Sequence, residues 1–260
     1  MLKTLTDKAV LLAFFERDKP LHLYEIGDLD PFFWPSTRWF GWAPKGELRA
    51  IALLYSGSAV PTLLLFERTN IEDAAALLRA LKPQLPGSFY AHITPRLTTC
   101  LANFELTPHG RHLKMVLRSS GLPAASPREG IEVLGPEHED ELASFYERSY
   151  PGNWFTPRML ETGKYVGVRD GGELIAVAGV HVYSPEFGVA ALGNITTLPE
   201  ARGRGLGGRV TGHLCRSLLE TVNTVGLNVH AENEPAIRCY RRLGFEVVAD
   251  YEEHEVNPSR

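Results

Sequence analysis

Cysteine is scarce in this chain. Cys100, Cys215 and Cys239 are the only three among 260 residues, they lie far apart and none forms a CxxC pair, so neither a disulfide framework nor a zinc site is expected. A reducing cytoplasm is the compartment that fits, and no metal cofactor is expected. Long apolar runs are missing as well. No stretch approaches the roughly 20 apolar residues of a membrane span. The first apolar run is short, is broken by Glu16 and Arg17, and is followed by no small-residue cleavage site. No membrane partner is expected. Charge of one sign is not in excess: 27 Lys+Arg against 31 Asp+Glu leave a net charge of -4, which gives no global attraction to nucleic acid. The GxxxxGK[ST] phosphate loop is also absent, which removes the commonest nucleoside triphosphate site.

What is there is a folding composition, 44% hydrophobic and 22% charged, long enough for two domains of ordinary size. The clearest internal break is 119–130, SSGLPAASPREG, where proline, glycine and small residues replace apolar periodicity. It reads as a linker between domains 1–118 and 131–260. After it, 131–134 is a strand candidate, and 136–150 is a helix with Leu142, Phe145 and Tyr146 on one face. Strands are expected over 165–169 and 173–183, joined by a turn at Asp170-Gly171-Gly172, and again over 189–198. Leu206, Val210, Leu214 and Leu218 recur every four residues, so 207–223 should be an amphipathic helix. A strand over 227–231 and a helix ending at Gly244 follow, with a last strand over 245–255.

The first half repeats part of this grammar. Gly46-Glu47-Leu48 and the AIALLYSGSAVPTLLLFE behind it echo Gly172-Glu173-Leu174 and the apolar segments that follow, and this first copy runs through Thr69-Asn70 into a helix expected over 71–81. The first copy has no glycine cluster. The fold expected is therefore α/β, of the α+β kind: two related halves, each a mixed and mostly antiparallel sheet flanked by helices, with a cofactor loop in the second alone.

That loop lies in 192–208, LGNITTLPEARGRGLGG, a strand that enters glycines 203, 205, 207 and 208 and leaves directly into a helix. A helix start presents unpaired N–H groups and partial positive charge, and glycines let a ligand approach it, so phosphate is the expected guest. Gly203, Gly205 and Gly208 also spell GxGxxG. The dinucleotide reading fails because the acidic residue downstream, Glu220, falls within the same helix instead of at the end of a following strand.

Arg202, Gly205 and Gly207 form RxxGxG, and Asn233, Ala236, Tyr240, Gly244 and Phe245 form NxxAxxxYxxxGF. Together they resemble the two signature motifs of the GNAT superfamily of acyl-CoA-dependent N-acyltransferases, over about residues 131–255. A degenerate first copy before an active second one resembles the glycine N-acyltransferase-like branch. The resemblance implies an N-acetyltransferase with acetyl-CoA as co-substrate and a primary amine, on a small molecule or peptide, as acceptor. It implies that Ile195, Thr196 and Thr197 bind the pantetheine arm, and that Arg202, Gly203, Arg204, Gly205, Leu206, Gly207 and Gly208 hold the pyrophosphate. Asn233 is implied as a cofactor contact and can also cap its helix, the two roles being compatible. The Leu198 amide is implied as oxyanion donor, and Tyr240 as both a cofactor contact and the general acid, since a phenol stays protonated at neutral pH.

Relatives place a glutamate where this chain has Asn228. His230, Glu232, His181 and Glu186 are the alternatives for a general base, as is a chain of water. Tyr150, Trp154 and Phe155, in the segment that commonly walls the acceptor pocket, are the substrate-binding candidates. With Asn228 in that position, a non-catalytic CoA-binding or regulatory module is the competing reading. No pattern sets an oligomeric state.

Overall fold

The computed structural model describes residues 1–118, 121–123 and 130–259. Of the expected linker, 119–120 and 124–129 lie outside the described residues. In chain order the elements are β1 (Leu2–Leu5), α1 (Lys8–Phe15), α2 (Leu23–Gly27), β2 (Thr37–Trp42), β3 (Ala50–Tyr55), β4 (Thr62–Leu65), α3 (Ile71–Leu81), β5 (Phe89–Ile93) and β6 (Phe104–Leu117). There follow β7 (Ile131–Val133), α4 (Glu139–Ser149), β8 (Val166–Asp170), β9 (Glu173–Ser184), β10 (Val189–Thr197), α5 (Leu206–Leu219), β11 (Thr224–His230), α6 (Glu234–Arg242) and β12 (Phe245–Pro258). The chain forms two compact units. Unit 1 is Met1–Lys114 with Val229–Glu232 and Val247–Arg260, and unit 2 is Met115–Asn228 with Asn233–Glu246.

In unit 1 the strand order is β1-β2-β3-β4-β5-β12, antiparallel throughout except for the parallel pair β4–β5. The helix α3 makes that crossover. Its Ala74, Ala75, Leu77, Leu78 and Leu81 pack with Phe89, Ala91, Ile93 and Val256 into one apolar core. The last strand of the chain thus completes the first unit's sheet: Glu253 pairs with His92, and Glu255 with Tyr90.

Unit 2 repeats the plan. Its order is β11-β10-β9-β8-β7, antiparallel except for β10–β11, and here α5 is the crossover. The four residues spaced along α5, Leu206, Val210, Leu214 and Leu218, are all buried, each stabilising the unit by roughly 1.5–3 kcal/mol of apolar transfer. The helix stops at Leu219, short of the expected 223. There the Leu218 carbonyl accepts from both Thr221 and Val222, while Asn223 and Thr224 turn their N–H groups to Gly188. Strand β11 begins at Thr224, ahead of the expected 227, because Thr224 and Val225 pair with Val189 and Ala190.

Candidate functional site

The parallel pairing of β10 with β11 covers Val189 to Leu192 against Thr224 to Leu227. Beyond it β10 continues with β9 and shifts register between Gly193 and Thr196, a bulge that leaves Asn194 and Ile195 unmatched. Asn194 carries φ of 53°, a left-handed backbone that asparagine tolerates better than other side chains. The conformation is held from two sides. The Tyr146 hydroxyl on α4 donates to the Asn194 carbonyl at 2.9 Å. The Asn194 side-chain amide donates to the Tyr165 hydroxyl at 3.0 Å, which itself donates to the Val180 carbonyl at 3.2 Å. All three side chains are buried, and burial pushes both phenols well above their ordinary value. They act as neutral donors. In a trans peptide, C=O and the next N–H point opposite ways, so fixing the Asn194 carbonyl on Tyr146 also fixes the direction of the Ile195 N–H.

Downstream, Gly203 and Gly205 adopt φ of 78° and 77° with no atom near a would-be Cβ, and Gly205 caps α5 without any side-chain hydrogen bond. The first helical bond runs from the Arg209 N–H to the Gly205 carbonyl. The N–H groups of Leu206, Gly207 and Gly208 precede it, so the start of α5 keeps the open donors an anion needs. Gly208 serves a second purpose, since a Cβ there would lie 3.2 Å from the Cys239 sulfur on α6.

Ile195, Thr196 and Thr197 lie at and after the bulge and are half-buried. Thr196 Oγ1 donates to the Ser149 carbonyl at 3.3 Å. Arg202 fastens the loop through its guanidinium, to the Thr197 carbonyl at 3.2 Å and the Ser149 carbonyl at 3.4 Å. Arg204 pairs at 3.1 Å with Asp170 on the β8–β9 turn. Asn233 caps α6, accepting from the Ala236 N–H at 3.2 Å. Tyr240 is buried beside Phe245. Burial first, then Cys239, Tyr150 and Cys215, push its hydroxyl well above the ordinary phenol value.

One assignment needs correcting. The Leu198 N–H donates to the Ile175 carbonyl on β9 at 3.0 Å, so it is committed to the sheet and is not a spare oxyanion donor. Of the substrate-side aromatics, Tyr150 and Trp154 are exposed. Phe155 packs against Tyr146 and Tyr165 at 5.2 and 5.8 Å, joining the wall behind the bulge. Among the alternative bases, Glu186 and Glu232 are exposed, His230 is half-buried, and His181 lies across Gly193, whose Cβ would fall 2.1 Å from its ring. Asn194 itself escaped the sequence reading. Its signal was an asparagine, a poor strand former, inside the apolar run 189–195.

Unit 1 treats the corresponding turn, from β4 into α3, differently. The Glu67 carboxylate accepts from the N–H groups of Arg68, Thr69 and Asn70 at 2.8, 2.9 and 3.1 Å, and from the Thr69 hydroxyl at 3.1 Å. Burial opposes its ionisation, yet the three backbone donors outweigh that and hold it below the ordinary carboxylate value. The chain thus supplies its own anion where unit 2 leaves its donors open. Among the described residues no cluster suited to a metal ion occurs, and no helix is long and apolar enough to cross a membrane.

Residues 132–245 match the family model described as Acetyltransferase (GNAT) family. A mycothiol acetyltransferase of Mycolicibacterium vanbaalenii is 32% identical over 163 residues, 53% of this chain and 54% of that protein. One from Mycobacterium sp. strain JLS is 35% identical over 158 residues, 52% of each. The chain spans about half the length of these curated relatives. A tandem GNAT protein from the clavulanic acid biosynthesis pathway superposes with a TM-score of 0.56 at 15% identity, each chain covered over 100% of its length. A Drosophila protein reaches 0.74 at 16% identity, over 100% of this chain and 99% of its own. At such identities these two establish the fold.

Proposed function

We propose that unit 2 transfers an acetyl group from acetyl-CoA to a primary amine of a small molecule or peptide. The observation that carries the reading is the open, uncapped start of α5 directly after a bulged strand, within the residues that match the GNAT family model. The residues present fit the co-substrate: the glycine loop offers backbone donors to a diphosphate, and the tail of β10, no longer paired with β11, offers its backbone to the pantetheine arm. Acetyl-CoA, when bound, supplies the thioester carbonyl to be attacked and the thiolate that leaves.

The protein's part is positioning and protons. Tyr240, kept protonated by burial, gives its proton to the leaving sulfur; general acids of this kind contribute about 10²–10⁴-fold. The oxyanion donor moves from Leu198 to the bulge, where the Ile195 N–H is the backbone group whose direction Tyr146 and Asn194 set. Losing one such donor costs about 2.7–4 kcal/mol where it has been measured. Gly203, Gly205, Leu206, Gly207 and Gly208 hold the phosphates, and Tyr150 and Trp154 offer exposed rings to the acceptor. Arg202, Asn233 and Arg204 hold structure: a loop brace, a helix cap and a turn. The curated relatives are named mycothiol acetyltransferase, which puts mycothiol-related small molecules first among the acceptors to try.

A free-thiol release screen with acetyl-CoA against amino acids, amino sugars, polyamines and peptides tests this. Release with one acceptor class supports it. Acetyl-CoA binding without release from any acceptor would instead favour the competing module, whose motivation is Asn228 in place of a glutamate.

A further inference from the structure

Alternation along β12 puts Tyr251, Glu253 and Glu255 on one face of unit 1's sheet and Val256 on the other, where the apolar core lies. Register brings His92 of β5 beside Glu253 on the polar face, and β6 adds His112. The Glu253 carboxylate is the centre of this group. Its Oε1 accepts from the Tyr251 hydroxyl at 2.7 Å and lies 3.6 Å from His92 Nε2. Its Oε2 lies 3.6 Å from His112 Nε2. Both Glu253 and His112 keep 15% of their side chains exposed, so small solutes can reach them.

The tautomer of His112 follows from its partner. His112 Nδ1 is 3.3 Å from the Gly110 carbonyl, which can only accept, so Nδ1 carries the proton and a neutral ring presents a bare lone pair at Nε2. Burial is the main reason His112 gains a proton less readily than an ordinary histidine, against the pull of Glu253. Burial resists ionisation of Glu253, yet His92, His112, the Tyr251 hydroxyl and His109 more than offset it. At neutral pH two acceptors therefore face each other at 3.6 Å, one charged and one a lone pair, with no donor between them. The His112 ring is held there by His230, packed edge-on at 5.0 Å.

Lys114, only 3% exposed, sits 3.8 Å from the Phe66 ring centroid, attracted by Glu25 and Glu253 and repelled by Arg68. Glu25 is itself paired with His22 at 2.9 Å, so the case rests on the facing acceptors of Glu253 and His112. What completes that pair is a cation with several N–H donors, and one nitrogen about 2.8 Å from each acceptor bridges a gap of this size.

We infer that unit 1 carries a binding site for a primary ammonium, received jointly by Glu253 Oε2 and His112 Nε2. The inference stands whether or not unit 2 transfers acyl groups, because it is read on unit 1's own histidines. Ethanolamine is the probe, titrated into the full-length chain at neutral pH while the imidazole ¹H–¹⁵N resonances are followed. The expected result is a saturable shift at His112, at least about tenfold weaker in Glu253→Gln and unchanged in Glu255→Gln on the same strand. Choline, charged but without N–H, should leave His112 still. No shift with ethanolamine, an equal shift in Glu253→Gln, or an equal response to choline each overturns the inference. If Glu253→Gln does not fold by circular dichroism, His112→Leu takes its place, read as the loss of ethanolamine's protection against thermal unfolding.

Discussion

Tyr240 and Asn194 illustrate how single residues divide the labour. Tyr240→Phe removes a proton donor and little volume, so turnover should fall by about 10²-fold or more while the KM for acetyl-CoA stays near its original value; steady-state thiol release reads both. Because burial raises this phenol above its ordinary value, loss of its proton should not limit the rate below about pH 10. Tyr146→Phe breaks the single bond from α4 to the Asn194 carbonyl. A stability loss of about 1 kcal/mol is expected, with a larger fall in kcat than in acetyl-CoA affinity, since the bulge is aimed less well. Equal falls in both would argue that the bond supports the fold alone.

Lys114 tests the electrostatics of unit 1. Burial lowers its value from 10.5 to about 8. Below about pH 8 both folded and unfolded chains carry the charge, so the burial cost is fully present there. As pH rises from there to about 10.5 the unfolded chain keeps a proton that the folded chain has shed, and the cost, about 3 kcal/mol, disappears. Lys114→Met should therefore stabilise the protein at pH 7 and narrow its lead over this range, measured as the difference in denaturant midpoints.

At the scale of elements, the two crossover turns are the same device in opposite states. The α5 turn leaves its N–H groups open; the α3 turn fills them with Glu67. Glu67→Ala should cost about 1–3 kcal/mol by stranding three backbone donors, and should make the remaining stability less steeply dependent on pH in the carboxylate range than that of the wild type, whose Glu67 adds to the lowered Glu25, Glu141 and Glu253. The sign follows from the lowered value: the wild-type contribution is present above the ordinary carboxylate value and lost as pH falls through the folded one. Added phosphate should partly restore the variant's melting temperature if the freed donors still form an anion site.

For the whole molecule, the end of the chain belongs to its beginning. Residues 247–260 are part of unit 1, and Val256 lies in the core built around α3. A fragment of residues 1–118 should therefore fail to give a protected core in hydrogen exchange, whereas the full chain should protect β4 and β5 strongly. A fragment with full-length protection of β5 would refute that dependence of unit 1 on β12.

Sequence alone determined what is local. The glycine cluster, the four-residue apolar spacing of α5, the 71–81 helix and the Asn233 and Gly244 ends of α6 depend on neighbours within a turn or two, and the pattern of residues carries them. Tertiary structure alone decided the rest. The bulge at Asn194 is held by Tyr146 and Tyr165, 48 and 29 positions away; the Leu198 amide was committed by a carbonyl on another strand; and the Glu253 group gathers side chains from β5, β6, β11 and β12. A backbone direction or a shared proton depends on which distant groups a fold brings within 3–4 Å, and no spacing along one chain encodes that by itself.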